Sequence, residues 1–397
     1  MVEQFSQNGQ TSDAVTNQTG QHTEYLLASA PIDYATRSIA YATAVELVRL
    51  GIFGTSDRPI MTWYVICRAA NRHVRGRINR LVGNAFISSQ VAPSTRSLVG
   101  AIESSCIFGY AFGREIAALV GNRGREVGRA AWLCTLARLT ASLLDVLLDH
   151  APTKFPMAEQ IGRLAISRLF DHRSNPPSVG LNDDPLLNLL ARIVKATIPR
   201  LDRRLQVHPE LADELRQTLL RLLDLEHFDR SMIRRINAPT VYAHLRERGS
   251  LPFWAEVLIC LSSQDQRRDE CIEEWRDHAI AFGEIFWIVD DIVDVMRDLR
   301  SQRWNRFLVE LASSTQAGPG PLNPIPVDST AAVYSDIMNR GFPERAAREI
   351  HNRMAALRDT YRVRGLRWDS MNRLLECYIT QHFYPEMFAS IRAHHFA

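Results

Sequence analysis

The sequence lacks several features that would assign it to a common class of protein. Its 397 residues contain no uninterrupted apolar run of the ~18–20 residues that a transmembrane helix needs. The first residues provide neither a basic start nor an apolar core, so we predict no secretory signal and a cytoplasmic location. The six cysteines form no C-x-x-C or Cys/His cluster, which argues against a zinc site and a disulfide framework.

Lysine is nearly missing, although the chain is slightly basic. Of the 47 lysines and arginines, only Lys154 and Lys195 are lysines. The formal net charge of +3 is too small to indicate nucleic-acid binding. Alternating strand patterns bounded by Asn-Gly or Asp-Gly are also missing. We therefore expect neither a nucleic-acid-binding protein nor a β-protein.

Most of the chain after about residue 35 has the apolar periodicity of helices. Segments such as "AAWLCTLARLTASLLDVLLDH" and "FGEIFWIVDDIVDVMRD" each continue for a dozen residues or more. Residues 1–24 are rich in Gln, Asn, Thr and Ser, and we predict that they form a disordered tail. Residues 25–397 are predicted to form one all-α domain, a single helical bundle.

The segment from Phe282 to Trp304 places acids inside an apolar helix. Asp290, Asp294 and Asp298 are spaced i, i+4, i+8 and lie in one row on a helix. Like charges at this spacing repel by roughly 0.2–0.5 kcal/mol per pair, and burial raises the cost. The neighbouring residues are apolar on nearly all sides, so we predict a buried helix whose acidic row faces an internal cavity. Pairing with arginines would offset the repulsion, but divalent cations, above all Mg²⁺, are the favoured explanation.

A second pair of acids lies on another apolar segment, "SLLDVLLDH". Asp145 and Asp149 are spaced i, i+4 there. Alone, this pair could be the charged end of an ordinary helix. If the two acidic helices face each other, their carboxylates can hold Mg²⁺ ions between them, and such a cluster suits a diphosphate. The two segments together predict a metal-dependent diphosphate site.

The residues around Asp290 resemble the second aspartate-rich helix of class I isoprenoid synthases. Asp290-Asp291-x-x-Asp294 is similar to the second DDxxD motif of trans-polyprenyl diphosphate synthases, and Gly283 falls where that family usually has glycine. The row that ends at Asp298 has the spacing of the NSE-type metal triad of terpene cyclases. The segment that begins at Asp294, "DVMRDLRSQRW", is also similar to the second DxxxD of squalene and phytoene synthases.

The first motif separates these relatives. Asp145 and Asp149 form a DxxxD rather than a DDxxD, which resembles head-to-head synthases and the class IB large-terpene synthases related to tetraprenyl-β-curcumene synthase. The segment "LPFWAEV" (251–257) resembles an L-P-W segment of the latter group. No arginine pair follows Asp149, and no lysine lies in the N-terminal region, so the isopentenyl-binding residues of chain-elongating enzymes are not recognisable.

The resemblance implies a helical bundle with a central active-site cavity and a cluster of up to three Mg²⁺ ions. It implies a terpene synthase that ionises an allylic prenyl diphosphate and releases diphosphate, and it leaves a homodimer open. A prenyltransferase, either head-to-head or chain-elongating, is the alternative, and a non-catalytic all-α scaffold is a further one. Arg300 and Arg303, just beyond the row, are candidate diphosphate ligands. The candidate pocket residues are Ala141, Ser142, Gly283, Phe286 and Trp287.

Overall fold

The computed structural model describes most of the helical part of the chain. The described residues are 34–52, 58–82, 93–150, 153, 155–168, 185–226, 232, 236–264, 272–315 and 320–385. Within these ranges the secondary structure is helical and contains no β-strand, which confirms the all-α prediction for them. The predicted tail, residues 1–24, lies outside them.

The described residues contain 14 α-helices. In chain order they are α1 (residues 34–49), α2 (Arg58–Ala70), α3 (Gly76–Val82), α4 (Pro93–Leu119), α5 (Arg125–His150), α6 (Phe155–Arg168), α7 (Pro185–Leu205), α8 (Pro209–Glu226), α9 (Ala238–Leu261), α10 (Ile272–Arg300), α11 (Arg306–Thr315), α12 (Thr330–Asn339), α13 (Phe342–Val363) and α14 (Asp369–Phe383). A π-helical turn joins α2 to α3, and a 3₁₀ turn precedes α12.

Five helices pack side by side in a closed ring. Around the ring the order is α4, α5, α9, α10 and α14, and α14 returns to α4. Helices α6, α7 and α8 cover the side of α5 and α9, α2 covers α14, and α11 and α13 cover α10. Helices α4 and α9 also contact each other across the ring, where the sulfur of Cys260 lies 3.8 Å from the carbonyl oxygen of Gly113, and an outer layer covers most sides.

Contacts along the ring fix the direction of each helix. The sulfur atoms of Cys134 on α5 and Cys260 on α9 lie 3.6 Å apart, and Asp145, farther along α5, contacts Arg248, which comes before Cys260 in α9. Helices α5 and α9 are therefore antiparallel. The rings of Phe253 and Phe282 stack, and the earlier Gly249 meets the later Trp287, so α9 and α10 are antiparallel too. Consequently α5 and α10 are parallel.

Helix α10 buries its apolar residues and carries charged residues at both ends. Most of its side chains are buried, as its sequence predicts. Glu273 and Glu274 lie in its first turn, and Arg297 and Arg300 lie in its last turn. Acids near the N-terminus and bases near the C-terminus interact favourably with the helix dipole. The terminal charges thus stabilise a 29-residue helix whose middle is in the core.

Helix α5 contains a long apolar segment. By length and composition alone, its segment Arg125–Leu147 could cross a membrane, and 61% of that segment's most apolar window is buried inside the protein. Its neighbours are α4, α7 and α9. It also carries Arg138, which donates a hydrogen bond of 3.1 Å to the buried Glu256 of α9. The apolar character of α5 corresponds to its position in the protein interior.

Glycine allows α9 and α10 to approach each other closely. A Cβ atom built on Gly283 of α10 would lie 2.6 Å from the carbonyl oxygen of Gly249, and closer still to the Cα of Ser250. A Cβ on Gly249 would lie 2.7 Å from the Cβ of Trp287. Backbone atoms cannot move aside as a flexible side chain can. Glycine at both positions is therefore required for this crossing.

We predict that Gly283→Ala lowers the free energy of unfolding by about 1–3 kcal/mol, because the added methyl group must push two packed helices apart. Urea unfolding followed by circular dichroism measures the change. Gly128→Ala is the matched control, since that glycine also lies within a helix but has no atom within 4 Å of the new Cβ. The control should gain up to about 1 kcal/mol from helix propensity. Equal stabilisation by both substitutions would contradict the close crossing.

Candidate functional site

The predicted acidic residues of α5 and α10 lie at the same end of the ring. Both helices run in the same direction, and Asp145 and Asp290 each lie in the C-terminal half of their helix. Helix α9 connects them, because Arg248 donates a hydrogen bond of 2.7 Å to Asp145 while the adjacent Gly249 packs against Trp287. Trp287 precedes Asp290 by one helical turn. The contacts thus bring the two motifs, 145 residues apart in sequence, to one end of the bundle.

Asp290 and Asp294 form a pair of carboxylates one turn apart on α10. Asp290 is exposed, while the side chain of Asp294 is only 17% exposed and forms an ion pair with Arg297. Burial raises the pKa of Asp294 to about 9, and the negative charge of Asp290 contributes in the same direction. Asp294 therefore holds a proton at neutral pH in the metal-free protein, and a bound cation would have to displace that proton.

Asp298, the predicted third member of the row, makes a different set of contacts. Its carboxylate is buried and accepts a hydrogen bond of 3.1 Å from the side chain of Asn305. Asn305 precedes α11, and its own side-chain oxygen accepts a bond of 3.1 Å from the amide of Phe307. Asp298 thus helps to fix the N-terminus of α11. This contact gives it a structural role in the described protein.

Asp291, which the sequence analysis placed in the motif but not among the ligands, lies beside Asp298. It is buried and accepts a hydrogen bond of 3.0 Å from the backbone amide of Arg306. Burial raises its pKa to about 8, which the bond from Arg306 opposes. Residues seven apart lie about 20° apart around a helix, whereas Asp290 and Asp298 differ by about 80°. Asp291 and Asp298 therefore share the face toward α11.

Three other candidate ligands, Asp149, Arg300 and Arg303, lie at or just beyond the ends of α5 and α10. Asp149 lies in the last turn of α5, but its side chain is outside the described part of the structure. Arg300 is exposed at the end of α10. Arg303 is half-buried in the turn before α11, where its amide bonds to the carbonyl of Asp298 at 2.8 Å. Both arginines are therefore close in the chain to Asp298.

Two predicted pocket residues on α10 contact α9 or α11 instead of open space. Gly283 faces the backbone of Gly249 and Ser250, so its small size serves helix packing. Trp287 is half-buried, and the guanidinium carbon of Arg306 lies 5.1 Å from the centre of its ring. The assignment of Gly283 to a roomy pocket wall does not fit this geometry, because a neighbouring backbone already occupies the space.

The two predicted pocket residues on α5 lie near the rim of the ring. Ala141 is exposed. Ser142 is half-buried, and its hydroxyl forms a hydrogen bond of 2.6 Å with the hydroxyl of Ser105 on α4. Ser142 lies three residues before Asp145, so both are on the same side of α5. The rim between α4 and α5 is therefore polar.

Phe286, the remaining predicted pocket residue, belongs to an aromatic cluster in the interior of the ring. Its ring centre lies 3.9 Å from that of Tyr378, 4.3 Å from that of Phe253 and 4.9 Å from that of Phe112. We call Phe112, Phe253, Phe286 and Tyr378 the aromatic cluster. They come from α4, α9, α10 and α14, and all are buried. The cluster fills the middle of the ring.

Arg138 lies against this cluster and was not predicted from the sequence. Its guanidinium carbon is 4.6 Å from the ring centre of Phe253, and further contacts at 5.3 and 5.4 Å join it to Phe112 and Phe286. Glu256 of α9 holds it from the other side. Arg138 precedes Asp145 by seven residues, so both lie on one face of α5. This spacing is the sequence signal that could have indicated Arg138.

Tyr378 connects the aromatic cluster to the acidic end. Burial raises the pKa of Tyr378 above its ordinary range, and the charges of Asp290 and Asp294 raise it further while Arg138 opposes them. The two aspartates are therefore electrostatic neighbours of the cluster. No feature of the sequence around Tyr378 indicates this position, because it lies on α14, far from both motifs.

The described residues include a large cavity, but it lies elsewhere. Its volume is about 1030 Å³, and it is lined by residues near the start of α5 and the ends of α7 and α9. This is the end of the ring opposite to Asp145 and Asp290. The predicted central active-site cavity stays a prediction, since aromatic side chains occupy the interior of the ring.

The carboxylates at the acidic end suit a small Mg²⁺ site better than a large cluster. In the described part of the chain, no three His, Cys, Asp or Glu side chains converge on one point. Asp290 and Asp294 do offer hard oxygen atoms one turn apart, and their mutual repulsion would be relieved by a cation. Mg²⁺ typically uses one or two carboxylates together with waters and substrate phosphates. Asp290 and Asp294 are therefore the residues that fit the ion.

Comparisons with known proteins add no family assignment. The sequence matches no protein-family model, and no curated protein is significantly similar to it. The argument about function therefore rests on the motif residues and on the geometry described above.

We predict that the metal-free protein becomes less stable between about pH 5 and about pH 9. The pKa of Asp294 is about 9 in the folded protein and 3.8 ordinarily, so the folded state binds a proton that the unfolded state releases. Stability is then greatest at low pH and is lost as the pH rises toward 9, and Asp291 acts in the same direction. Melting temperatures measured in EDTA across this range test the slope.

Asp294→Asn should flatten this slope and leave the melting temperature at neutral pH unchanged or raised, because a neutral asparagine can be buried without taking up a proton. Asp328→Asn, at an exposed aspartate, should behave as the unsubstituted protein does. A large drop in melting temperature in Asp294→Asn at all pH values would mean that this carboxylate is a stabilising ion-pair partner.

Proposed function

We propose that this protein is a Mg²⁺-dependent terpene synthase that ionises an allylic prenyl diphosphate to a carbocation and releases diphosphate. The observation that carries the proposal is the position of Asp145, Asp290 and Asp294. Two aspartate motifs on parallel helices lie toward the same end of a helical ring, and the charges of Asp290 and Asp294 reach Tyr378 of the aromatic cluster. Diphosphate needs cations at one end of the substrate, and a carbocation needs a dry apolar surface at the other.

The chain's own residues would bind and orient the diphosphate at the acidic end. Asp290 and Asp294 would hold Mg²⁺, which supplies positive charge to the diphosphate oxygens when it is bound. Arg248 lies at the same rim beside Asp145, and a guanidinium group can donate two parallel hydrogen bonds to phosphate oxygens. Such preorganised donors stabilise the negative charge that develops on a leaving group. Arg248 is therefore a better-placed candidate ligand than Arg300.

The aromatic cluster would exclude water and face the cation. An aromatic face attracts a cation by roughly 0.5–2 kcal/mol per contact. Because the cluster fills the ring, the prenyl chain would have to displace at least one of its side chains to enter. Arg138 already lies among these rings, and its positive charge is neutralised by Glu256. The neutralised arginine would therefore repel a nearby carbocation less than an unpaired one would.

A prenyltransferase is the alternative in the same superfamily. Chain elongation would require isopentenyl diphosphate as a second substrate, and head-to-head condensation would consume two allylic diphosphates for each product. The DxxxD of the first motif and the missing isopentenyl-binding residues favour the cyclase. Stoichiometry of substrate consumption separates the three reactions.

A non-catalytic scaffold is the second candidate, and a specific observation favours it. Arg248 pairs with Asp145, and Arg297 pairs with Asp294, so arginines partly neutralise both motifs without a metal. In such a scaffold the filled interior of the ring would be the final state rather than a pocket that opens. The scaffold predicts no joint effect of Mg²⁺ and diphosphate.

We predict that Mg²⁺ and inorganic diphosphate together raise the melting temperature by more than the sum of their separate effects. A ligand that binds only the folded state stabilises it in proportion to the logarithm of its concentration. Asp290→Asn should remove the joint increment, because one of the two ligands to the ion is lost, whereas Asp328→Asn should keep it. Absence of any joint increment in the unsubstituted protein would favour the scaffold.

Turnover is tested by incubation with geranyl, farnesyl, geranylgeranyl and geranylfarnesyl diphosphates and Mg²⁺, followed by product analysis. We expect release of diphosphate and a cyclised or hydroxylated product without added isopentenyl diphosphate. Asp294→Asn should lower the rate by about a hundredfold or more, since stabilisation of the leaving group is lost. A requirement for isopentenyl diphosphate, with a longer linear diphosphate as product, would reverse the ranking.

A further inference from the structure

The cavity at the other end of the ring has an unusually basic lining. Its volume is about 1030 Å³, and it is bounded by α3, the first turns of α5, the last turns of α7 and the residues after α9. Seven of its described lining residues are basic or can become so, and they are Arg77, Arg80, Arg129, Arg200, Arg203, Arg204 and His208. Glu126 is the acidic residue in the described lining. The cavity therefore carries a strong positive charge in a chain whose net charge is small.

Glu126 neutralises only part of this charge. It accepts hydrogen bonds of 2.7 Å from Arg129 and 2.9 Å from Arg204, which lowers its pKa against the opposing effect of burial. The other arginines bond to no carboxylate in the described ranges. Arg80 donates to the carbonyl of Gly76, and Arg200 donates to a carbonyl of its own helix.

Two of the lining arginines can be explained by their position in a helix. Arg203 and Arg204 lie in the last turn of α7, where bases interact favourably with the helix dipole. Arg77 and Arg129 have no such explanation, since Arg77 lies at the start of α3 and Arg129 lies in the second turn of α5. Positive side chains from three helices line one concave surface, and their combined electrostatic field attracts an anion into it.

The same cavity offers an apolar wall. Leu81, Trp132, Leu133 and Val207 contribute to its lining. The guanidinium carbon of Arg77 lies 5.3 Å from the centre of the Trp132 ring, so this cation is held over an aromatic face. Sites for small molecules commonly measure ~300–1,000 Å³ and combine apolar walls with a few polar groups. The size and lining of the cavity thus suit an organic anion rather than a simple ion.

We propose that this cavity, which we call the arginine cavity, binds an anion with two or more phosphate groups, of the size of a nucleoside di- or triphosphate. Guanidinium groups match phosphate oxygens in bidentate pairs, and the arginines on α3, α5 and α7 face one concavity from three sides. Binding there needs no metal. The inference does not rest on the proposed function, because the arginine cavity shares no residue with the acidic end.

The test measures binding by calorimetry in EDTA with three probes, namely ATP, inorganic tripolyphosphate and sulfate. We expect both phosphate compounds to bind and sulfate to bind much more weakly. Tighter binding of ATP identifies an organic phosphate as the ligand class, and equal binding identifies inorganic polyphosphate. Sulfate binding as tight as that of ATP would overturn the proposal, because any anion would then suffice.

Variants assign the binding to the arginine cavity. The double variant R200Q/R203Q should weaken binding of the phosphate probes by about tenfold or more, since two cations are lost. Arg192→Gln is the matched control, because this arginine is exposed on the same helix outside the cavity lining, and it should bind as the unsubstituted protein does. Equal binding by the double variant and the control would refute the assignment. If the double variant does not fold, Arg80→Gln provides the same comparison.

The outcome is separable from that of the proposed function. Asp290→Asn should leave ATP binding in EDTA unchanged, whereas R200Q/R203Q should keep the joint effect of Mg²⁺ and diphosphate. Loss of ATP binding in Asp290→Asn would mean that the phosphates bind at the acidic end, which contradicts a second site.

Discussion

The close crossing of α9 and α10 is the contact on which the acidic end of the protein depends. Gly249 and Gly283 let the two backbones meet without side chains between them. This approach sets how far α9 slides along α10, and so it decides which residue of α9 reaches α5. Arg248, next to the crossing, then bonds to Asp145, while Trp287 and the aspartates after it lie on the other side. A wider crossing would separate the two aspartate motifs.

The charged residues along the ring differ between its end and its middle. At one end, burial and the neighbouring Asp290 make ionisation of Asp294 costly and raise its pKa to about 9, although Arg297 lies beside it. In the middle, Arg138 and Glu256 neutralise each other among aromatic rings. Breaking a buried pair of this kind by removing one partner typically costs 3–5 kcal/mol.

At the far end the sign of the charge is reversed. The lining of the arginine cavity is dominated by arginines, and the acid among its described residues, Glu126, is already bonded to two of them. The arginine cavity therefore holds positive charge that its described lining does not neutralise, and a phosphate anion bound there would offset it. At the acidic end, arginines pair with both motifs, and a divalent cation would have to compete with Arg297 and with the proton on Asp294.

The helical class and the two aspartate motifs are predictable from local sequence patterns. Apolar periodicity over a dozen residues or more predicts a helix because the stripe must be buried, and the prediction for α5 and α10 followed from that rule alone. The spacing of Asp290 and Asp294 is likewise local, and their pairing on one face needs no knowledge of the fold.

The contacts of each acid depend on how the helices pack against one another. Asp298 lies on the face of α10 that points toward α11 and accepts a hydrogen bond from Asn305. It therefore shares a face with Asp291 and not with Asp290. The space beside Gly283 is occupied by the backbone of α9. These outcomes depend on which helices are neighbours, and that is set by packing between segments distant in the chain. Arg138, Tyr378 and the arginine cavity escaped sequence reasoning for the same reason, because residues from several helices create each environment.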